Sequence, residues 1–160
     1  HHGQAVSAEK IKDKSLKFYP LENNKHPHFT KGESDARVER KGNQVHVYMT
    51  SIRSHFTPDN IEGIQLGDEV YFHVTNIEQD WDMPHGFAIK GARTAEILIM
   101  PGETQTLKWV PNRVGIVPMY CTDFCSALHQ EMSGYIRVSP QGSNVPISFS
   151  TGDAATASTN

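Results

Sequence analysis

Short runs of β-branched and aromatic residues alternate with Pro and Gly through the middle of the chain. In Val70–Val74 and Thr106–Val110, apolar and polar positions nearly alternate, which is the pattern of half-buried strands. Turn sequences such as Pro101–Glu103 separate these runs at intervals of about ten residues, a spacing typical of an all-β sandwich. The pattern therefore predicts strands over residues 44–50, 61–65, 69–77, 86–90, 95–100, 104–110, 116–120 and 134–139.

The two ends of the chain differ from this middle part. Residues 1–40 carry many charges and few apolar side chains, which predicts a charged connector lying over a surface, and His1–Gly3 resembles the remnant of a purification tag. Residues 141–160 are mostly small and polar, too poor in apolar area to offset the entropy of ordering them, so we predict a disordered tail. One domain over residues 41–140 remains. Helical periodicity is nearly absent, and only residues 126–132 could form a turn or two of helix.

Composition narrows the possible functions. The 160 residues, 37% apolar and 21% charged, are enough for one domain with a core. With 15 basic against 18 acidic residues, the chain has no sign of the basic face that nucleic acid requires, so we expect no nucleic-acid partner. No run approaches the ~20 apolar residues of a membrane-spanning helix, so we expect no membrane insertion.

The residues capable of metal chemistry are concentrated in residues 120–132. Cys121, Cys125, His129 and Met132 follow one another there at spacings of four, four and three. Thiolate, imidazole and thioether ligands suit copper or zinc far better than magnesium or calcium, and their combination is typical of a copper electron-transfer site. Such a site needs one more imidazole. His85 is the candidate, because it lies at a loop between two predicted strands.

The presence of two cysteines distinguishes between two kinds of copper site. Without Cys121, the remaining ligands would form a mononuclear blue-copper site. Two thiolates within one turn can instead bridge two metals, so that each copper needs one imidazole and one weak axial ligand. One copper would then take His85 and Met132, and the other His129 and a backbone carbonyl, for which Asp123 is the candidate. Thiolate bridges would spread one unpaired electron over both coppers and so favour fast electron transfer.

The motif Cys-x3-Cys-x3-His-x2-Met with an upstream histidine resembles the dinuclear CuA site of haem-copper oxidase subunit II and of the C-terminal cupredoxin domain of nitrous-oxide reductase. The sequence around the motif, together with segments 42–49, 54–57 and 85–88, is similar to nitrous-oxide reductase over residues 41–140. Oxidase subunits typically carry a glutamate within the Cys–Cys loop and a glycine after the second cysteine, where this chain has Asp123 and Ser126. The resemblance implies a cupredoxin-like Greek-key β-sandwich.

The resemblance also implies a complete ligand set for a dinuclear copper centre. Its members are two bridging thiolates, two terminal imidazoles, an axial thioether and an axial carbonyl: Cys121, Cys125, His85, His129, Met132 and Asp123. Well-known nitrous-oxide reductases carry a tryptophan where this chain has Asp123. The ligand role still carries over, because it uses only the backbone carbonyl. Asp82, Ser51 and Ser54 are candidates for orienting the ring of His85.

The function implied by this resemblance is that of an electron-transfer domain in an oxidoreductase of denitrification. It would accept electrons from a c-type cytochrome or a small copper protein in the periplasm. It would pass them to the copper–sulfide cluster that reduces nitrous oxide to dinitrogen on a separate propeller domain, within a homodimer. No propeller is present here, so we expect no turnover by this chain alone. Five carboxylates would attract a basic donor to the copper end: Glu78, Asp80, Asp82, Asp123 and Glu131.

Several alternatives stay open from the sequence. The chain could be the soluble domain of an oxidase subunit II, or a Cu(I)-binding chaperone or storage module. Cys121 and Cys125 could form a disulfide in a purely structural sandwich, or zinc could occupy a site with two cysteines and two histidines. Other histidines have no comparable neighbours, and we expect His46 and His73, at alternating strand positions, to be solvent-facing or packed side chains.

Overall fold

The computed structural model describes residues 26–52, 55–78, 84–92, 96–123 and 130–151. A 3₁₀ turn at Glu33–Asp35 precedes the first strand. The strands, in chain order, are β1 (Arg37–Lys41), β2 (Gln44–Ile52), β3 (His55–Thr57), β4 (Asn60–Gln65), β5 (Glu69–Asn76), β6 (His85–Ile89), β7 (Ile97–Ile99), β8 (Thr104–Trp109), β9 (Gly115–Asp123), β10 (Gln130–Ser139) and β11 (Ser148–Ser150). Within these residues, no helix is long and apolar enough to cross a membrane.

The strands form two mixed sheets. The first has the order β1-β2-β5-β8, with β3 also paired to β2, and the second has the order β11-β4-β10-β9-β6-β7. The pairs β2–β5 and β4–β10 are parallel, whereas the other neighbours are antiparallel. Buried apolar residues of both sheets belong to one core cluster. The all-β sandwich predicted from the hydrophobic pattern is therefore confirmed.

Alternation along the strands builds the core, as the sequence pattern indicated. The inward positions of β2 and β5 are apolar and almost fully buried: Val45, Val47, Met49, Val70, Phe72 and Val74. Phe87 of the second sheet meets Phe56 edge to face, with ring centroids 5.2 Å apart. Because each buried aromatic ring contributes about 2–3 kcal/mol of transfer free energy, these contacts between sheets hold the sandwich together.

The sandwich extends beyond both predicted domain boundaries. β1 lies mostly within the predicted connector and pairs with β2, while β11 lies within the predicted disordered tail and pairs with β4. The prediction of disorder is wrong for residues 148–150, because Phe149 is buried in the core and the edge of β4 offers backbone hydrogen bonds. Residues 1–25 and 152–160 lie outside the described residues.

The turn or two of helix that residues 126–132 could form does not occur at residues 130–132, because β10 begins at Gln130. Residues 126–129 lie outside the described part. β10 pairs with β9 and therefore continues the second sheet, with a change of register between Met132 and Gly134. Pairing with β9 supplies hydrogen bonds that an isolated helical turn at this place would lack.

Gly134 allows a close approach of two chain segments beside this irregularity. A Cβ atom at position 134 would overlap the carbonyl oxygen of Asp59. That oxygen accepts a hydrogen bond of 2.9 Å from the backbone N–H of Tyr135. The glycine therefore lets the connection between β3 and β4 lie directly against β10.

We expect Gly134→Ala to lower the free energy of unfolding by about 2–3 kcal/mol, because the added methyl group must displace backbone rather than a flexible side chain. Gly32→Ala is the matched control, since a Cβ at position 32 meets nothing within 4 Å. Urea denaturation of both variants measures the effect. Equal stability of the two variants would contradict the proposed close approach.

Candidate metal centre

Three adjacent strands of the second sheet bring four of the predicted ligand positions to one end of that sheet. His85 begins β6 and pairs directly with Asp123, the last residue of β9. Cys121 lies two positions earlier in β9. Met132 lies in β10 and follows the residue that pairs with Cys121. Residues far apart in the sequence are thus neighbours in the backbone register.

The other two predicted ligands, Cys125 and His129, lie in residues 124–129, outside the described part of the chain. Among the residues that the structure does describe, no group of three or more His, Cys, Asp and Glu side chains is arranged to hold a metal ion. The second thiolate and the second imidazole of the site therefore stay predictions. Met132 and Asp123 are placed by their strands alone.

Cys121 is buried at the inner face of β9. It is 4% exposed, belongs to the apolar core cluster and pairs in register with Phe87 of β6. A thiolate in such surroundings is poorly solvated and needs a nearby positive charge to be stable. A soft metal cation supplies this charge, so the position of Cys121 fits a ligand to copper.

His85 is oriented by a buried carboxylate. Its Nε2 atom lies 3.1 Å from Oε2 of Glu78, and the two residues are only 3% and 7% exposed. An ionised carboxylate can only accept a hydrogen bond, so Nε2 carries the proton and donates it to Glu78. This leaves Nδ1 as the ring nitrogen that can bind a metal. Ligating histidines commonly donate their second nitrogen to a carboxylate in this way.

Asn76, at the end of β5, holds Glu78 in place. The backbone N–H of Glu78 donates to Oδ1 of Asn76 over 2.9 Å. The side-chain amide of Asn76 in turn donates to the carbonyl oxygen of Ile99, also over 2.9 Å. Asn76 is fully buried, so these hydrogen bonds are not replaced by water. The orientation of His85 is therefore fixed through Glu78 by residues of both sheets.

The role of Glu78 was not predicted. The prediction that Glu78 belongs to an acidic surface for partner binding is wrong, because the residue is buried against His85. Of the candidates named for orienting His85, Asp82 and Ser54 lie outside the described residues. Ser51 is buried, and its hydroxyl has no hydrogen-bond partner in the described part of the chain. The sequence does contain an indication that Glu78 is buried. Every second residue of β5 up to Asn76 faces inward, and the same alternation continued past the end of the strand reaches Glu78.

Two sheets around one apolar core, with a buried thiol and a carboxylate-oriented imidazole at the end of one sheet, define a cupredoxin domain. The donor types fit copper, because a buried thiol and a buried imidazole lie on neighbouring strands.

Comparison with known proteins agrees with this class. The chain is 38% identical over 108 residues to nitrous-oxide reductase from Stutzerimonas stutzeri. The matched region covers 68% of this chain but only 17% of that enzyme. It is 30% identical over 105 residues to cytochrome c oxidase subunit 2 from Thermus thermophilus, covering 66% of this chain and 73% of that subunit. No family model matches the chain.

A solved structure shares the fold. The structure of a heme-copper terminal oxidase dimer, determined by cryo-EM, superposes with a TM-score of 0.53 at 19% identity, over 72% of this chain and 75% of that one. The chain belongs to the family of CuA-type cupredoxin domains found in nitrous-oxide reductase and in cytochrome c oxidase subunit 2. It is therefore a copper-binding domain of the electron-transfer type.

We expect Glu78→Gln to weaken copper binding by about 10- to 100-fold, because a neutral amide orients and polarises His85 less strongly than a carboxylate does. Competition with a chelator of known affinity measures the change. Glu62→Gln is the control, because Glu62 is an exposed residue of β4 and should leave the affinity unchanged. Identical affinities for both variants would contradict an orienting role for Glu78.

Proposed function

We propose that this domain carries a dinuclear, mixed-valence CuA centre and relays single electrons. The observation that carries the proposal is the burial of Cys121 at the end of the sheet where His85 begins its strand. A mononuclear site built on Cys125 would leave this second thiol, held in the core beside the site, without a role. The proposed ligands are those of the sequence motif: Cys121, Cys125, His85, His129, Met132 and the carbonyl of Asp123.

The described residues support fast electron transfer through their rigidity. When bound, the two coppers would supply a one-electron couple shared through the thiolates. β6 and β9 are hydrogen-bonded neighbours, so the distance between the backbones of His85 and Cys121 is set by the sheet. Glu78 prevents rotation of the imidazole, and the surrounding core excludes water. A site whose ligands cannot move far has a small reorganisation energy.

Nitrous-oxide reductase is the parent enzyme that we propose. The identity to the Stutzerimonas enzyme is 38%, against 30% to the Thermus oxidase subunit. In that role the domain would take electrons from a c-type cytochrome or a small copper protein in the periplasm. It would deliver them to a copper–sulfide cluster on the propeller domain of the same homodimeric enzyme. The match spans about a sixth of the Stutzerimonas enzyme.

The soluble domain of an oxidase subunit II is the second candidate. It is favoured by coverage, because the match spans 73% of the Thermus subunit. The electron-transfer role is the same in both cases, and the acceptor differs. Electron transfer to an isolated nitrous-oxide reductase whose own CuA site has been removed by mutation would support the first candidate. Transfer only to an oxidase would support the second.

Copper loading of the freshly reduced chain tests the dinuclear site. We expect two copper ions per chain by metal analysis, and an electron paramagnetic resonance spectrum in which one electron is shared by two equivalent copper nuclei. One copper with a single-nucleus spectrum would return the protein to the blue-copper class. Binding of Cu(I) alone, with no stable mixed-valence state, would favour a chaperone or storage module.

The two cysteines provide matched variants for the same experiment. Cys121→Ser and Cys125→Ser should each abolish the shared-electron spectrum, because a serine oxygen does not bridge copper as a thiolate does. Circular dichroism checks that both variants remain folded. A shared-electron spectrum that persists in Cys121→Ser would show that Cys121 is not a bridge.

The donor is expected to be basic, because acidic residues flank the ligands in the sequence. With Glu78 buried, the carboxylates left for such a surface are Asp80, Asp82, Asp123 and Glu131. We expect the rate of reduction by a basic cytochrome c to fall about tenfold between low and physiological ionic strength. The double variant Asp80→Asn, Asp82→Asn should weaken this dependence, whereas Glu62→Gln should not. A rate that is indifferent to salt in the unmodified chain would contradict electrostatic steering.

A further inference from the structure

The outer face of the first sheet carries a cluster of aromatic rings that lies apart from the copper end. His46 and Tyr48 of β2 pair in register with Tyr71 and His73 of β5. Residues 26–30 cross this face, and the ring of His28 stacks on that of His73 with centroids 4.1 Å apart and planes 17° apart. The rings of the cluster therefore lie between the sheet and a segment that precedes β1.

His73 is at the centre of the cluster. Its Nε2 atom lies 2.8 Å from Nδ1 of His46, and its Nδ1 atom lies 2.8 Å from Oγ1 of Thr106. Although His73 is on the outer face of the sheet, it is only 2% exposed. Residues 26–30 provide cover from the solvent side, with His28 directly against the ring.

One backbone hydrogen bond anchors this covering segment. The N–H of Thr30 donates to Oγ1 of Thr75 over 3.0 Å, and Thr30 is 1% exposed. Within the segment, the N–H of Phe29 donates to the carbonyl of His26. The hydroxyl of Tyr48 also lies 3.5 Å from Nδ1 of His28. The described contacts between the segment and the sheet are thus ring stacking and isolated hydrogen bonds, and they do not form the ladder of bonds that holds a strand.

Charged groups around the cluster are mostly paired with one another. On β1, Arg37 lies over the ring of Tyr48 at 4.0 Å and forms an ion pair of 2.8 Å with Glu39, and Lys41 ends the strand. From β8, Lys108 approaches Glu69 of β5 at 4.0 Å and the ring of Tyr71 at 5.6 Å. Among the described contacts, no carboxylate oxygen bonds to the rings of His28, His46 or His73. Glu39 is near enough to raise the pKa of His46, and Lys41 is near enough to lower it, whereas a proton on His73 would be repelled by the neighbouring imidazoles.

Burial makes these imidazoles resist protonation. It lowers the pKa of His26 and His46, in each case with a further lowering by His28, and lowers the pKa of His73 from 6.5 to about 3. Uncovering His73 would return its pKa towards 6.5. The covered state is therefore fully stable above pH 6.5, and it loses stability as the pH falls from 6.5 towards 3, because only the uncovered state binds the proton.

We propose that residues 26–30 form a proton-sensitive clasp, which lies on the first sheet while the imidazole of His73 is neutral and lifts from the sheet when that imidazole takes up a proton. When the clasp opens, it exposes the aromatic rings of His46, Tyr48, Tyr71 and His73 on the first sheet. The copper ligands take no part, since the cluster and the proposed ligands lie on different sheets.

Hydrogen exchange at the amide of Thr30 tests the clasp in the full 160-residue chain. Protection factors, corrected for the intrinsic effect of pH, should fall by about tenfold between pH 7.5 and pH 5.5, as expected for one histidine that is protonated only when uncovered. Amides in the middle of β5 should keep their protection, which separates lifting of the segment from unfolding. Unchanged protection of Thr30 would overturn the proposal.

A variant of His73 tests whether this residue is the group whose protonation opens the clasp. In His73→Phe, which retains the ring stack but cannot be protonated, the tenfold loss should shrink to less than threefold. His55→Gln is the matched control, because His55 lies outside the cluster and should leave the response unchanged. If His73→Phe fails to fold, carbon-detected titration of the native His73 ring replaces it. An apparent pKa well below 6.5 supports the clasp, and a full response in His73→Phe or an ordinary pKa for the native ring contradicts it.

Discussion

The antiparallel pairing of β6 with β9 is the constraint on which the copper end depends. It places His85 opposite Asp123 and Phe87 opposite Cys121, so that two proposed ligands separated by more than thirty residues become neighbours. No side-chain contact could hold them with comparable accuracy, because the register of a sheet changes only in whole residues. Inward-facing aromatic residues of both sheets make any slip costly, since a shift by one residue would move the core side chains into water.

Much of the fold could be predicted from alternation alone. Val70–Val74 and the segment ending at Trp109 have a clear period of two, and both are strands with buried inward positions. The added strands at the ends were missed for a physical reason. β1 and β11 are short and polar, and their order comes from neighbours in the sheet rather than from their own composition. A single buried ring, Phe149, is the local hint in the otherwise small and polar tail.

The ligand motif could be proposed from the sequence because it consists of residue types at fixed spacing, whereas the contacts that orient His85 could not. Cys121 was identified from its neighbours in the motif, but Glu78 was assigned to the surface because acidic residues near loops are usually exposed. The histidine cluster was missed for a related reason. His46 and His73 have ordinary positions in their strands, and only the return of residues 26–30 over the sheet makes them buried. The burial of a strand residue by a distant segment of the chain does not change the hydrophobic pattern of the strand itself, so the pattern could not predict it.

Asn76 couples the relative position of the two sheets to the orientation of Glu78. Its main chain belongs to β5 of the first sheet, its side chain bonds to Ile99 of the second, and its Oδ1 atom carries the backbone of Glu78. Sliding of one sheet over the other would therefore pull on the carboxylate that orients His85. A displacement of either sheet would thus reach the imidazole of His85 through a chain of hydrogen bonds, and not only through the apolar core.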